Sequence, residues 1–109
     1  MDNELAMPNE FDRKCVERAL HNRAHYKYVS PRVCAASDGL RIESPCCSRR
    51  VETSGGMVDI ALLQFLREGG CKLYRKDHSA GEWKLYGEYN RLTDLLEPLT
   101  ADPERLFWQ

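Results

Sequence analysis

The fold is decided by a segment in which three apolar runs alternate with glycine-containing turns, MVDIALLQFLREGGCKLYRKDHSAGEWKLY, residues 57–86. By periodicity alone, the first run, residues 57–66, fits either a short helix or a buried strand. We interpret it as a strand, because the Arg-Glu-Gly-Gly sequence at residues 67–70 is typical of a hairpin turn into the second run, residues 71–75. A second turn at residues 78–81 leads into the third run. The segment therefore predicts an antiparallel meander of three strands.

Two shorter runs upstream extend the predicted sheet. Residues 32–35 and 40–43 alternate between apolar and polar side chains, with a period of two. The Ser-Asp-Gly sequence at residues 37–39 lies between them and favours a hairpin turn. Together with the meander, this hairpin predicts a sheet of about five antiparallel strands.

Apolar side chains at helical spacing mark both ends of the chain. Asn9 and Asp12 have the spacing of a capping box at the start of an amphipathic helix. Asn90 or Thr93 is expected to cap a second helix near the C-terminus. The apolar residues are Phe11, Cys15, Val16, Ala19 and Leu20 in the first helix, and Leu92, Leu95, Leu96 and Leu99 in the second.

These elements predict an α+β domain in which an N-terminal and a C-terminal helix pack on one face of the antiparallel sheet. The chain has 109 residues, which suits one domain. We place a flexible tail at residues 1–8 and a single domain at residues 9–109. Leu106, Phe107 and Trp108 are apolar, so the C-terminus is expected to dock on the domain.

Composition narrows the class of protein. Hydrophobic residues make up 42% and charged residues 30% of the chain, which is typical of a folded globular domain. The longest apolar stretch, residues 60–63, is far shorter than a membrane span. The acidic N-terminus is followed by no apolar run, so we expect no secretory signal and a cytoplasmic location. Five cysteines are an odd number, which indicates reduced thiols rather than a disulfide framework.

Charge is unevenly distributed along a chain whose formal net charge is −1. Residues 11–50 contain nine basic and four acidic side chains, whereas residues 51–109 contain seven basic and ten acidic ones. This basic excess is smaller than that of dedicated nucleic-acid domains, so nucleic acid is not expected as the main partner.

The longest stretch without periodicity, residues 44–56, contains a basic loop that we interpret as a ligand-binding site. Arginine combines charge with several hydrogen-bond donors, which suits recognition of a carboxylate or phosphate. No phosphate loop or dinucleotide motif is present, so no nucleotide cofactor is predicted. The candidate ligand-binding residues are Arg41, Cys46, Cys47, Ser48, Arg49, Arg50, Asp59, Lys76 and His78.

An alternative interpretation is a small thiol-dependent enzyme. Cys46 or Cys47 would be the nucleophile, because neighbouring guanidinium groups lower the pKa of a thiol. His78 would then serve as the base, oriented by Asp77 or Asp59. No known catalytic motif surrounds these cysteines, so no catalytic residue is assigned.

A metal site and a nucleic-acid interface are two further alternatives. His21 and His25 are four residues apart on the predicted helix, and Cys46 and Cys47 could add thiolates for zinc. Adjacent cysteines do not easily bind one ion, so no metal is predicted. Aromatic residues on an open sheet can stack on bases, although the usual RNA-binding motifs are absent. These aromatic residues are Tyr26, Tyr28, Tyr74, Trp83, Tyr86 and Tyr89.

Six short segments carry a resemblance that covers about two thirds of the chain. They are Ser44-Pro45-Cys46-Cys47-Ser48-Arg49, Gly55-Gly56, Asp59-Ile60-Ala61, Leu73-Tyr74-Arg75-Lys76-Asp77-His78, Asp102-Pro103 and Phe107-Trp108. In these segments the chain resembles a family of small, uncharacterised proteobacterial proteins. The resemblance implies a bacterial cytoplasmic protein of modest size, and it implies no activity, cofactor or partner.

The sequence as a whole favours a small cytoplasmic binding or interaction module. Its expected partner is an unidentified protein or a small anionic ligand, with no membrane contact. A meander also has an unpaired edge, which can accept a strand from a peptide or from a second copy of the chain. A homodimer is therefore one expected form of the protein.

Overall fold

The computed structural model describes residues 5–6, 9–21, 31–36, 39–45, 57–102 and 106–107. In these residues the chain forms one antiparallel sheet and two helices, as the sequence predicts. The elements are β1 (Leu5–Ala6), α1 (Glu10–His21), β2 (Arg32–Ala36), β3 (Gly39–Pro45), β4 (Met57–Leu66), β5 (Cys71–Asp77), β6 (Glu82–Tyr89) and α2 (Leu92–Ala101).

The central strand of the sheet is β4, in the order β2-β3-β4-β5-β6. This confirms that residues 57–66 form a strand rather than a helix. Leu63 pairs with Leu40 on β3 and with Leu73 on β5, and all three side chains are buried. Apolar residues at alternate positions of adjacent strands thus form a continuous layer on one face of the sheet.

A two-residue strand lies in the segment that was expected to be a flexible tail. Leu5 pairs with Leu66 and Ala6 pairs with Phe65, so β1 runs antiparallel to the last residues of β4. The pairs between β3 and β4 end at Leu63. β1 therefore continues the pairing of β4 beyond the end of β3. Two residues are too short a strand to show a recognisable alternation in the sequence.

The predicted capping box starts α1. The backbone N–H of Asp12 donates to Oδ1 of Asn9 (2.8 Å), and the N–H of Asn9 donates to Oδ2 of Asp12 (3.2 Å). Val16 and Leu20 are the buried residues of this helix. Phe11 was expected on the apolar face of this helix. It lies in the first turn, is 73% exposed and does not belong to the core cluster.

Helix α2 begins without the side-chain cap that the sequence predicts. Its N-cap residue is Arg91, which makes no capping hydrogen bond, so the assignments of Asn90 and Thr93 are wrong. The leucine pattern is nevertheless confirmed, since Leu95, Leu96 and Leu99 are buried against the sheet. Apolar burial positions this helix even though a cap is missing.

The end of α2 is tied to the C-terminal residues by Asp102. This residue is 2% exposed and has a left-handed backbone, with φ of 39°. Its Oδ1 accepts hydrogen bonds from the backbone N–H groups of Leu106 (2.8 Å) and Phe107 (3.3 Å). The buried Phe107 ring packs edge-on against Tyr86, with centroids 5.0 Å apart. The predicted docking of the C-terminus is thus confirmed for these two residues.

The two faces of the sheet differ in character. One face packs against α1 and α2 through the buried core. We call the other face the open face. Strand register aligns Arg41, Leu62, Tyr74 and Leu85 in one row across it, on β3, β4, β5 and β6. None of the described helices is long and apolar enough to cross a membrane.

Candidate anion-binding face

Three of the predicted ligand-binding residues come together on the open face. Arg41 lies on β3, Asp59 on β4 and Lys76 on β5. Arg41 and Lys76 lie against Trp83 on β6, whose backbone pairs with that of Lys76, and Asp59 pairs with Lys76. We refer to these four residues as the open-face cluster.

The indole of Trp83 contacts two cations. Nζ of Lys76 lies 4.9 Å from the ring centroid, and Cζ of Arg41 lies 6.0 Å from it. Both distances are within the range of cation–π attraction. The ring therefore offsets part of the repulsion between two positive groups that are held at the same place.

Arg41 lies across the sheet rather than standing away from it. Strands β4 and β5 separate Arg41 from Trp83, so their backbones are about 14 Å apart. The side chains of Arg41 and Trp83 extend towards each other across this gap, and Arg41 passes over its neighbour Leu62. This path accounts for the 3% exposure of Leu62, which is buried although it lies on the face away from the helices.

The guanidinium of Arg41 has an unused hydrogen-bond donor. Its Nε is buried and has no hydrogen-bond partner, which is true of no other buried side-chain nitrogen or oxygen in the described residues. A buried donor without an acceptor costs about 1–3 kcal/mol, and a charged one costs more. Because Nε is covered, an acceptor from a ligand would remove that cost once the guanidinium turned outward to meet it.

The other cation of the cluster is already neutralised. Nζ of Lys76 lies 3.4 Å from Oδ2 of Asp59, and both side chains are largely buried. Arg41 forms no ion pair with any residue that the structure describes. Within the open-face cluster, the positive charge that remains available is therefore that of Arg41.

His78 lies beside the cluster, in the turn after β5. Burial, followed by the charge of Lys76, lowers the pKa of His78 below the 6.5 of an ordinary histidine. Both carboxylate oxygens of the neighbouring Asp77 already have partners. The Ser79 hydroxyl donates to Oδ1 (2.7 Å), and Nζ of Lys84 lies 3.2 Å from Oδ2. These contacts hold the pKa of Asp77 well below its ordinary value. His78 is thus neutral near pH 7, and Asp77 is already engaged.

The basic loop of the predicted site lies outside the described residues. This applies to Cys46, Cys47, Ser48, Arg49 and Arg50. Their part in ligand binding and the thiol-enzyme alternative therefore remain predictions.

The three described cysteines are free thiols. Cys71 is buried, whereas Cys15 and Cys34 are half-buried. Burial, and then the negative charges of Asp94 and Asp12, raises the pKa of the Cys71 thiol to about 11. Such a thiol is unreactive near neutral pH.

The zinc alternative gains no support within the described part of the chain. No group of three or more potential metal-ligating side chains occurs there. His21 is exposed at the end of α1, and His25 lies outside the described residues together with both adjacent cysteines.

Four of the six predicted aromatic residues are divided between the two faces, and Tyr26 and Tyr28 lie outside the described residues. Tyr74 and Trp83 lie on the open face, whereas Tyr86 and Tyr89 pack against the core beneath the helices. Sequence reasoning did not include Trp83 among the ligand-binding residues. Its position opposite Lys76 in a tight hairpin was the available indication, since cross-strand neighbours share a face.

Comparison with known proteins identifies a family but no activity. No curated protein and no solved structure significantly matches the chain. A family model described as "Domain of unknown function (DUF3024)" matches residues 4–109. This match includes β1, all the other strands and both helices. The chain therefore belongs to the family described as a domain of unknown function, DUF3024.

Proposed function

We propose that the protein is a binding module whose open face recognises an anionic group on a ligand or partner. The observation that carries this proposal is the buried Nε of Arg41, which has no acceptor, beside Trp83 and a neutralised Lys76. A carboxylate or phosphate oxygen would accept from this guanidinium and make a charge-assisted hydrogen bond.

The surroundings of Arg41 favour a ligand that is anionic and partly apolar. Leu85 is 50% exposed on the same face, and Tyr74 and Trp83 are half-buried beside it. An acidic group would bind Arg41 while an adjacent apolar group covered Leu85. The predicted basic loop, with Arg49 and Arg50, joins β3 to β4 and would add further donors.

The test is a titration of the isotope-labelled protein, followed by proton–nitrogen correlation NMR. The probes are inorganic phosphate, an acidic peptide with one leucine, and a short oligothymidylate. We expect the Nε–H signal of Arg41 and the indole signal of Trp83 to shift with at least one of them. The acidic peptide should produce the largest shifts, because it also offers an apolar group.

A matched pair of arginine variants makes this test specific. Arg41→Met keeps the length of the side chain but removes the donors, and it should abolish the shifts. Arg91→Met is the control, because Arg91 is a 77% exposed arginine outside the open face. Equal effects of the two variants, or no shift with any probe, would refute the proposal. Binding of the oligonucleotide alone, with steep salt dependence, would indicate the nucleic-acid alternative instead.

We also propose that β2 is the edge at which a strand from a second copy can add. Strand β2 pairs with β3 through five residues without a bulge, and no described strand pairs with its other side. The opposite edge, β6, is interrupted by a register shift and carries Glu82, Lys84 and Glu88, which disfavour strand addition. Native mass spectrometry tests this proposal. We expect a dimer that Ala35→Pro, at an exposed position of β2, disrupts, whereas a monomer at all concentrations would contradict it.

The cellular setting is proposed as the bacterial cytoplasm. The odd number of cysteines and the free thiols of Cys15, Cys34 and Cys71 support reducing surroundings. Localisation of a tagged chain in bacterial cells checks this, with the cytosolic fraction as the expected result.

A further inference from the structure

A shallow cavity of about 400 Å³, open to solvent, lies at the surface between β6 and α2. This volume falls in the range of small-molecule sites. The cavity is far from the open-face cluster, because its walls belong to the face that packs against the helices. It is lined by Tyr86, Tyr89, Asp94, Glu97, Pro98 and Ala101.

Two backbone features build the aromatic wall of this cavity. A register shift between Leu73 and Tyr74 on β5 leaves Tyr86 as an extra residue of β6. Tyr86 therefore lies on the helix side of the sheet, where Phe107 fixes its ring edge-on. Gly87 then makes room for Tyr89: a Cβ atom at Gly87 would lie 2.7 Å from the Tyr89 hydroxyl.

The opposite wall is negatively charged. Asp94 and Glu97 are one turn apart on α2 and both line the cavity. Asp94 is paired with the exposed Arg91 at 3.5 Å. Glu97 forms no ion pair with any described residue, and its side chain is exposed.

We propose that this cavity binds an organic ammonium group, with the cation between the tyrosine rings and the Glu97 carboxylate. A carboxylate attracts the charge of an organic cation, and aromatic rings attract both its charge and its apolar part. A metal ion would need more oxygen ligands than two carboxylates on one helix provide. Anions are repelled by the same two side chains. The inference does not depend on the open face and would stand without it.

The experiment compares butylammonium with n-butanol, a neutral molecule of the same size and shape. Each is titrated into the full chain, and backbone amide shifts in β6 and α2 are followed by NMR. We expect butylammonium to shift the amides around Tyr89 and Glu97 and to bind at least about fivefold more tightly than n-butanol.

Two variants and their matched controls test the residues involved. Glu97→Gln removes the charge and should weaken butylammonium binding at least about fivefold, whereas Glu88→Gln, on the open face, should leave it unchanged. Tyr89→Leu should weaken binding similarly, with Tyr74→Leu as its control. Equal binding of n-butanol, equal effects of Glu97→Gln and Glu88→Gln, or no shifts at the cavity would each overturn the proposal.

Discussion

The guanidinium carbon of Arg41 lies 6.0 Å from the centroid of the Trp83 ring, although two strands separate the residues. The Arg41 side chain thus covers Leu62 in the middle of the open face and approaches the indole that extends from the outer strand. Its stem shields Leu62, and its head group holds a buried donor without an acceptor. The stem raises the free energy of unfolding because it covers Leu62, whereas the unpaired donor of the head group lowers it.

This relationship predicts a difference between two substitutions of Arg41. Arg41→Met retains the apolar stem and removes the unpaired donor, so it should leave the free energy of unfolding unchanged or raise it. Arg41→Ala uncovers Leu62 and should lower it by about 1 kcal/mol. Urea unfolding measures both. A loss of stability with Arg41→Met as large as with Arg41→Ala would contradict this description of the side chain.

Two glycines in turns should respond differently to alanine. Gly39 has φ of 145°, and a Cβ atom there would overlap the carbonyl oxygen of Leu63. Gly39→Ala should therefore cost at least about 3 kcal/mol, because backbone must move on the central strand. Gly81 has φ of 69° but open space around it, so Gly81→Ala should cost only about 1 kcal/mol. Thermal unfolding of the two variants checks the order, and a reversed order would be inconsistent with the structure.

Asp102 provides a third test, at the junction between α2 and the C-terminal residues. Asp102→Ala leaves the N–H groups of Leu106 and Phe107 without this acceptor and should cost about 2–3 kcal/mol. Asp102→Asn keeps an oxygen acceptor and tolerates the left-handed backbone, so about 1 kcal/mol is expected. Urea unfolding again gives the free energies. Equal losses for both variants would show that the hydrogen bonds at Asp102 contribute little.

The buried thiol of Cys71 predicts a loss of stability at alkaline pH. Its pKa is about 11 in the folded protein and 9.0 for an ordinary cysteine, so the unfolded chain loses the proton at lower pH. Folded-state stability from this group is complete below pH 9.0 and is lost as the pH rises toward 11. The free energy of unfolding should fall more steeply over this window in the wild type than in Cys71→Ala. Identical slopes would exclude the effect.

Alkylation distinguishes the binding module from the thiol-dependent enzyme. Near neutral pH the thiolate fraction of Cys71 is about a hundredfold smaller than that of an unperturbed thiol, so Cys71 should be labelled last. We expect Cys46 and Cys47 to be labelled at the rate of ordinary exposed thiols. Mass spectrometry of iodoacetamide-treated protein gives the order. Much faster labelling of one member of this pair than of every other cysteine would favour the enzyme.

The sequence was sufficient to predict the elements whose structure is determined by residues close together in the chain. The alternation in β3, the hairpin turn between β4 and β5, and the mutual capping of Asn9 and Asp12 depend on contacts within a few residues or one turn. The exposure of Phe11 and the absent cap of α2 were not predicted, because packing between elements decides both. Arg41, Asp59 and Lys76 were identified as candidates because charged side chains of these types suit anion recognition.

The arrangement of the site required the register of the sheet. Lys76 and Trp83 belong to one hairpin with a short turn, so their pairing could have been predicted from the sequence. Arg41 meets Trp83 only because three strand pairings, two of them with register shifts, bring β3 and β6 into line. A register shift changes which side chains share a face, and apolar patterns do not report its position.

The pairing of β1 with β4 also has a consequence for the order in which the molecule folds. Leu5 meets Leu66, so this contact closes a loop of more than half the chain, whereas the hairpins of β4, β5 and β6 join near neighbours. Closing a long loop costs more chain entropy than closing a short one. We therefore expect the meander to assemble first and β1 to join it late. The amide hydrogens between β1 and β4 should then exchange with solvent sooner than those at the centre of the sheet.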